Sequence, residues 1–331
     1  MNRTLIIAEA GVNHNGDINI AYRLCDAAKE VGADVVKFQT WNTDRIITRE
    51  VEQAEYQRKN THRVESQYEM LKRLELSYDE FSKIKLYCDK IGITFASTAD
   101  DCIDLEFLNN IGIPFAKVGS ADIGNIPLLR KIGELGLSAI ISTGMSGIED
   151  VEIAVNTLKM SGCNDITILH CTTSYPCRLE DVNLNAMKTL EERFHFPVGY
   201  SDHTIGNNVA IAAVAMGARV IEKHFTLDKK MDGPDHLAST EPNEMRDMIL
   251  AIRDIENALG DGEKAPTTIE KEISEIVKKR IVAAKPIKRG ECFTVDNLSI
   301  KRSASGVQAK EWDRVLNHMA LRDYETDEGI E

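Results

Sequence analysis

The sequence predicts an α/β protein in which eight strands and eight helices alternate to close a (β/α)8 TIM barrel, followed by a small C-terminal domain. Short apolar runs that end in polar residues occur eight times, and each precedes a segment of helical length with apolar residues at helical spacing. Eight strand–helix units in series are typical of a closed parallel barrel. The alternative is an open doubly wound sheet, but no GxGxxG turn follows the first strand.

The predicted strands each end at a polar or glycine residue. In chain order they are TLIIAE to Glu9, DVVKFQ to Gln39, ITFAST to Thr98, PFAKVGS to Ser120, SAIISTG to Gly144, DITILHCTT to Thr173, PVGYSDH to His203 and ARVIEKH to His224. Intervening segments such as EDVEIAVNTLKMSG are apolar at helical spacing and end at glycine, which is typical of helix C-termini. Long connections over residues 41–80 and 227–243 follow strands two and eight, and we expect them to form lids or substrate walls.

The pattern changes after the last predicted barrel helix, near residue 260. From Ala265 onward, a polar linker and a short helix lead into RIVAAKPIKRGECFTVDNLSIKR, which is typical of short strands joined by turns. The sequence therefore predicts a barrel domain over residues 1–264, and a linker with a small domain over residues 265–331.

Composition argues against several classes of function. The 331 residues carry a net charge of −13, so we expect no nucleic-acid partner, since such a surface needs a clustered positive field. The seven cysteines form no CxxC pair, which predicts reduced, cytoplasmic thiols rather than a disulfide framework or a zinc knuckle. The first residues predict no cleavable leader, and the sequence contains no run of 18 apolar residues, so we also expect no membrane partner.

Two histidines end predicted strands seven and eight. These strands are neighbours in a closed barrel, so His203 and His224 are expected at the same C-terminal rim. Side chains alternate along a strand, so Glu222 and His224 face inward while Lys223 faces the helices. Two imidazoles suit a divalent metal and leave coordination positions for substrate. Alternatively, each histidine only forms hydrogen bonds at its strand end, and Asp202 either orients an imidazole or caps the next turn.

Inward-facing lysines indicate an anion site. Lys37 lies on predicted strand two, on the same face as Gln39, and Lys117 lies on strand four. A buried lysine is costly unless an anion meets it, which favours phosphate or carboxylate binding. Hydroxyl side chains at neighbouring strand ends support this interpretation; they are Thr98, Ser120, Ser142 and Ser201. Two alternatives stay open: Lys37 pairs with Glu9 as a structural ion pair, or a barrel lysine forms the Schiff base of an aldolase.

These residues lie in strings that resemble the bacterial sialic acid synthase family, whose members condense phosphoenolpyruvate with an N-acylated sugar aldehyde. The strings are IIAEAGVNHNG, VKFQT, STGM, LHCTTSYP, GYSDHT, IEKHFTLDK and GPDH, with IVAAKPIKRGECF resembling the family's antifreeze-like (SAF) domain. The resemblance covers nearly the whole chain and implies a nine-carbon 2-keto sugar acid as product, with phosphate released by C–O cleavage. GPDH is more similar to the neuraminate and legionaminate synthases, which implies N-acetylmannosamine or a 2,4-diacetamido-trideoxy-mannose as the sugar.

The resemblance also implies residue roles. His203 and His224 are implied ligands of Mn²⁺ or Mg²⁺. The implied phosphoenolpyruvate site consists of Lys37, Thr98, Lys117, Ser120, Ser142, Thr173 and Ser201. The implied sugar-facing residues are Glu9, Gln39, Tyr175, Glu222 and Asp235, with Arg302 reaching in from the partner subunit of a domain-swapped homodimer. Glu9 or Glu222 is the expected catalytic proton carrier, because each is an inward carboxylate near the predicted metal.

Several segments depart from the family pattern. The usual Ser-Thr-Pro-Phe after strand three is STADD here, the Gly-Glu after the strand-four serine is SADIG, and an asparagine after HCT is Thr173. The C-terminal Arg-Pro-x-x-Gly-Ile-x-Pro is RSASGVQA. We expect these departures to affect which sugar is bound and how rigid the loop around Arg302 is. A lysine-dependent barrel aldolase and a non-catalytic sugar-binding barrel are the alternatives from other classes.

Overall fold

The protein divides into two compact units, Met1–Asp261 and Gly262–Glu331. The structure is a computed structural model, and it describes residues 3–53, 57, 58, 60, 63 and 65–331. The remaining positions of the 41–80 connection therefore lie outside the described residues.

The first unit is a closed barrel of eight parallel strands in sequence order, as predicted. The strands are β1 Leu5–Gly11, β2 Val35–Thr40, β3 Thr94–Ala99, β4 Ala116–Val118, β5 Ala139–Ser142, β6 Ile166–Cys171, β7 Val198–Asp202 and β8 Val220–His224. The register of β1 against both β2 and β8 closes the ring. The (β/α)8 prediction is confirmed, and each strand overlaps its predicted apolar run.

Helices surround the strands. In the first unit they are α1 Ile18–Glu30, α2 Thr43–Ile46, α3 Gln67–Leu74, α4 Tyr78–Ile91, α5 Cys102–Ile111, α6 Ile126–Glu134, α7 Ile148–Met160, α8 Ala186–Phe194, α9 Asn208–Ala215 and α10 Pro242–Leu259. Local sequence sets their ends: a capping box of Ser77 and Glu80 begins α4, and Gly92, with a φ of 75°, ends it. Among the described residues, the helices are too short or too polar to cross a membrane.

The barrel interior has two layers. An apolar floor fills its lower part and consists of Ile7, Val35, Ala96, Phe115, Ile140, Leu169 and Val220. Two residues further along each strand, on the same face, lies a polar layer of Glu9, Lys37, Thr98, Lys117, Ser142, Cys171 and Glu222. The alternation of side chains therefore places this polar layer directly above the apolar floor, at the C-terminal ends of the strands.

Part of the 41–80 connection forms a small core of its own. Helices α2 and α3 contribute to it, and the buried side chains of Val12, Trp41, Met70 and Leu74 pack together. Ile46 and Leu71 pack against this cluster and are only partly buried. The connection thus builds an apolar wall beside the mouth of the barrel.

The second unit is small and built around a two-stranded antiparallel sheet. Helix α11 Thr268–Val277 precedes strands β9 Lys279–Ala283 and β10 Leu298–Arg302, and α12 Trp312–Val315 follows. Its buried core consists of Ile281, Ala283, Ile287, Phe293, Leu298, Ala320, Tyr324 and Ile330. The predicted short strands within residues 280–302 are present.

Candidate active site

A cavity of about 230 Å³, the inner cavity, lies at the C-terminal ends of the barrel strands. The predicted residues that line it are Glu9, Lys37, Gln39, Thr98, Lys117, Ser120, Ser142, Thr173, Tyr175, Ser201, His203, Glu222 and His224. The fold therefore brings together every predicted site residue of the barrel except Asp235. It also answers how His203 and His224, which are 21 positions apart, meet: β7 and β8 are neighbours in the ring.

Lys37 lies in the centre of the polar layer. Its Nζ is 2.7 Å from Oε2 of Glu9 and 3.7 Å from Oε2 of Glu222, and it donates a hydrogen bond of 2.9 Å to Oγ1 of Thr98. Burial disfavours its charge, but Glu222 and Glu9 together hold the pKa of Lys37 above its ordinary value. The ion pair with Glu9 is therefore present in the free protein, together with a hydroxyl that faces the same cavity.

Lys117 is held by a different set of groups. Its Nζ donates to Oγ of Ser142 at 2.7 Å and to the carbonyl of Val118 at 3.1 Å, and lies 3.6 Å from Oε1 of Glu222. Burial lowers the pKa of Lys117. Both ammonium groups thus face the cavity with at least one neutral hydroxyl partner each, an arrangement that an anionic ligand can complete.

The two carboxylates of the polar layer have different environments. Burial raises the pKa of Glu9 to about 7, although Lys37 opposes the rise. Burial acts the same way on Glu222, but Lys117 and Lys37 outweigh it and hold the pKa of Glu222 at about 2. Ser201 also donates to Oε1 of Glu222 at 3.2 Å. The lysines thus favour the ionised form of Glu222, whereas burial favours the protonated form of Glu9.

The histidine rings lie together, with centroids 5.4 Å apart, and the Tyr175 ring is 4.2 Å from His203. Nδ1 of His203 donates to the carbonyl of Thr172 at 2.8 Å, which leaves its Nε2 lone pair available to a ligand. Nδ1 of His224 is buried and has no hydrogen-bond partner among the described residues. Two neighbouring imidazoles with nitrogens not taken up by the protein fit a divalent metal with other positions open. Within the described ranges, no three His, Cys, Asp or Glu side chains are grouped to hold a metal, so the two-histidine centre stays a prediction.

Asp202 serves the turn rather than an imidazole. Its Oδ1 accepts from the backbone N–H and the hydroxyl of Thr204 at 2.9 and 2.8 Å, and its Oδ2 accepts from Nζ of Lys223 at 2.6 Å. Lys223 points away from the cavity, as the alternation predicts. Of the two alternatives for Asp202, the structure shows the turn cap.

The remaining hydroxyls are placed differently from one another. Oγ of Ser120 accepts from the backbone N–H of Gly144 at 3.0 Å, so it is already engaged. Oγ1 of Thr173 is buried, and no described residue forms a hydrogen bond with it. A buried hydroxyl without a partner is costly, so Thr173 is the member of this set most in need of a ligand atom.

A second cavity of about 400 Å³, the outer cavity, adjoins the inner one. Gln39, Asp100, Ala121, Tyr175 and His224 line both. Asp235 lies in the outer cavity, and burial raises its pKa to about 6. Of the predicted sugar-facing residues, Gln39 and Tyr175 lie at the junction of the two cavities, and Asp235 lines only the outer cavity.

Two acidic residues of the inner cavity were not among the predicted site residues. Asp100 follows β3, and Asp122 follows β4, where its carboxyl accepts a 3.0 Å hydrogen bond from Nδ2 of Asn125. The sequence signal for both was the departure from the family pattern in STADD and SADIG.

Arg302 is the last residue of β10 in the second unit, and its side chain is exposed. In this single chain its backbone pairs with Lys279 of β9. Its predicted role in a partner's site stays a prediction.

Comparisons with known proteins bear on this site. The pattern of the NeuB family matches residues 24–264, and that of the SAF domain matches residues 279–331. The chain belongs to the NeuB family. The recognition of sialic acid synthase motifs and of the C-terminal SAF domain is therefore confirmed.

Several relatives of this NeuB family member are named as synthases. It is 46% identical over 332 residues to the N,N'-diacetyllegionaminic acid synthase of Campylobacter jejuni, covering 100% of this chain and 99% of that protein. It is 44% identical over 315 residues to the N,N'-diacetyllegionaminic acid synthase of Legionella pneumophila, covering 94% and 88%. The solved N-acetylneuraminic acid synthetase of Leptospira borgpetersenii, in complex with citrate, is 35% identical with a TM-score of 0.73, covering 83% and 91%.

Proposed function

We propose that this protein condenses phosphoenolpyruvate with an N-acylated sugar aldehyde and releases inorganic phosphate, giving a nine-carbon 2-keto sugar acid. The observation that supports this most is the shared inner cavity, where two buried lysines with hydroxyl partners lie beside two imidazoles. A site for an anion next to a site for a polarised aldehyde is what this condensation requires.

The relatives favour one sugar. Two of them, at 46% and 44% identity, are named for a product that carries two N-acetyl groups. We therefore propose a 2,4-diacetamido-trideoxy-mannose as the preferred substrate, with N-acetylmannosamine as the alternative.

Phosphoenolpyruvate binds to the lysines. Its carboxylate and phosphate meet the ammonium groups of Lys37 and Lys117 through charge-assisted hydrogen bonds, and the hydroxyls of Thr98, Ser142 and Thr173 complete the set. In the free protein, Glu9 and Glu222 stand near these ammonium groups and keep them from being buried without a partner.

His203 and His224 would hold a divalent cation, Mn²⁺ or Mg²⁺. The chemistry that such an ion supplies when bound is Lewis-acid polarisation of an aldehyde oxygen. The side chains themselves orient the sugar: the Tyr175 ring packs against His203, and the Gln39 amide is held by a 3.1 Å hydrogen bond to Oε1 of Glu9.

The reaction then balances in three steps. C3 of phosphoenolpyruvate forms a bond to the aldehyde carbon, and the aldehyde oxygen takes up one proton to become a hydroxyl. Water adds to C2 and gives up one proton. The C2–O bond to phosphate then breaks, the phosphate leaves with the electron pair and takes the remaining hydroxyl proton, and C2 becomes a ketone.

Glu9 is the better-placed proton carrier. Glu222 stands between two ammonium groups and the Ser201 hydroxyl, which stabilise its ionised form. As a fixed negative charge, Glu222 also stabilises the positive charge that develops at C2 before water adds.

Phosphate release tests the proposal directly. The protein is mixed with phosphoenolpyruvate, Mn²⁺ and a panel of N-acylated hexosamines and diacetamido sugars, and inorganic phosphate and the 2-keto acid are measured together. We expect equal amounts of both with at least one sugar. Phosphate release that does not depend on any sugar, or no release with the whole panel, would contradict the proposal.

A lysine-dependent aldolase is the second candidate, and the lowered pKa of Lys117 is the observation that favours it, because a Schiff base forms from a neutral amine. Borohydride treatment in the presence of substrate separates the two. A covalent adduct on Lys117 supports the aldolase, and its absence under turnover conditions supports the condensation.

A further inference from the structure

We propose that the outer cavity is the subsite for the second acylamino group of the sugar, and that Asp100 is the specificity-determining residue that recognises this group. This inference deepens the proposed function and rests on it, since it concerns the sugar that the same site takes.

The position of the outer cavity supports this assignment. It meets the inner cavity at a junction where the side chains of His224, Tyr175 and Asp100 line both. A sugar whose aldehyde end lies beside His224 therefore has two spaces around it: the inner cavity, with its lysines, and the outer cavity of about 400 Å³. Phosphoenolpyruvate takes the first space by charge, so the substituents of the sugar extend into the second.

The walls of the outer cavity match an acylamino group better than a hydroxyl. Its lining includes an apolar set of side chains from Ile46, Ile47, Met70, Leu71 and Leu74 together with Val12. It also includes polar side chains from Gln39, Gln57, Gln67, Asp100 and Asp235. An acetamido group presents a methyl to apolar surface and an N–H and a carbonyl to polar groups, whereas a hydroxyl leaves the apolar wall facing a polar substituent.

Asp100 lines the outer cavity together with a second carboxyl, that of Asp235, and of the two only Asp100 also lines the inner cavity. Among the residues that the structure describes, none forms a hydrogen bond or an ion pair with its carboxyl. Burial, followed by the nearby carboxylates of Asp122, Asp104 and Asp101, raises its pKa to about 8, although Lys37 opposes the rise. The neutral acid has one O–H to donate and one carbonyl oxygen to accept, which together match the carbonyl and the N–H of an amide.

The test compares two sugars. The value of kcat/KM is measured with saturating phosphoenolpyruvate and Mn²⁺ for a 2,4-diacetamido-trideoxy-mannose and for N-acetylmannosamine, in the wild type, Asp100→Asn and Asp100→Leu. We expect the wild type to prefer the diacetamido sugar. Asp100→Leu should lose about 10- to 100-fold with that sugar, mainly in KM, and less than about 3-fold with N-acetylmannosamine. Asp100→Asn, which keeps one donor and one acceptor, should retain most of the preference.

Two further variants separate this role from a general one. Ile47→Asn changes the apolar wall without touching the polar layer and should also lower the preference. Asp122→Leu removes a carboxyl that lines the inner cavity but not the outer one, so it should change both sugars by the same factor. In Asp100→Leu, the KM for phosphoenolpyruvate should change less than the KM for the diacetamido sugar.

The outcomes are distinguishable. If no sugar supports phosphate release by the wild type, the proposed function itself fails. If both sugars are consumed and Asp100→Leu lowers both equally, or if the wild type prefers N-acetylmannosamine, the synthase stands and the subsite is wrong.

Discussion

Replacing Lys37 by methionine should weaken the binding of phosphoenolpyruvate, and the structure offers a matched control for the loss of a buried lysine. Lys37 pairs with Glu9 across 2.7 Å inside the barrel, and Lys223 pairs with Asp202 across 2.6 Å on its outer side. All four side chains are at most 4% exposed. The control is Lys223→Met. Lys37→Met and Lys223→Met each break a buried ion pair, but only Lys37 faces the inner cavity.

The expected size of each effect follows from these contacts. Removing one partner of a buried ion pair costs about 3–5 kcal/mol of unfolding free energy. We expect the loss of unfolding free energy for Lys37→Met to lie at the lower end of this range. Glu9 can take up a proton near neutral pH, and Glu222 still has its ion pair with Lys117. For a unit of this size, about 3 kcal/mol lowers Tm by roughly 6–12 °C. Loss of charge-assisted hydrogen bonds worth about 1.5–3 kcal/mol should weaken phosphoenolpyruvate binding by roughly 10- to 150-fold.

Isothermal titration of phosphoenolpyruvate without sugar, at 10 °C and with Mn²⁺, measures the affinity while both variants are still folded. Thermal denaturation of the same samples measures stability. We expect Lys223→Met to lose stability and keep wild-type affinity, and Lys37→Met to lose both. If Lys37→Met binds phosphoenolpyruvate as tightly as Lys223→Met does, the ammonium of Lys37 serves only its ion pair with Glu9, and the anion site is wrong.

The remaining predictions concern the metal, the bond that breaks, the partner subunit and pH. Chelation should abolish turnover, and His203→Ala and His224→Ala should each lower turnover by orders of magnitude and weaken Mn²⁺ binding in equilibrium dialysis; full activity of either variant in excess chelator would refute the metal site. With ¹⁸O in the bridging position of phosphoenolpyruvate, the label should appear in released phosphate, and label in the keto acid would refute C–O cleavage. Arg302→Ala and His224→Ala, each inactive alone, should regain about a quarter of the activity after dissociation and random pairing, because one site of each mixed dimer is then whole; no recovery would mean that Arg302 does not act in a partner's site. Burial raises the pKa of Asp100 to about 8, so the Asp100 carboxyl holds a proton more tightly in the folded protein than in the unfolded chain. The contribution of Asp100 to folding stability therefore falls as pH rises from about 4 to 8. The stability advantage of Asp100→Asn over the wild type should therefore grow across this range, reaching at most about 4 kcal/mol at pH 7, and a constant difference in Tm from pH 4.5 to 8 would contradict it.

Strand alternation explains why most of the polar layer could be predicted from sequence. Lys37 and Glu222 lie within short apolar runs whose neighbours are buried, so their inward direction follows from a period of two. The meeting of His203 with His224 follows in turn, because strands seven and eight of a closed ring are neighbours.

Other features depend on contacts that no local pattern contains. Asp100 follows the last residue of β3, so alternation no longer fixes its direction, and only the folded loop turns its carboxyl to the cavity. The apolar wall depends on Val12 of the first strand–helix loop packing on Met70 of α3, which is a long-range contact. Asp202 could not be assigned from sequence, because capping a turn and orienting an imidazole need the same residue in the same place.

The apolar floor has a consequence for the order in which the substrates enter. Ile7, Val35 and the other floor residues fill the barrel directly beneath the lysines, so phosphoenolpyruvate must reach its site from the rim. The outer cavity is lined by residues of the 41–80 and 227–243 connections, which follow the C-terminal ends of β2 and β8. A sugar bound there first would stand in the path of the anion. We therefore expect a compulsory sequence in steady-state kinetics, with phosphoenolpyruvate as the leading substrate.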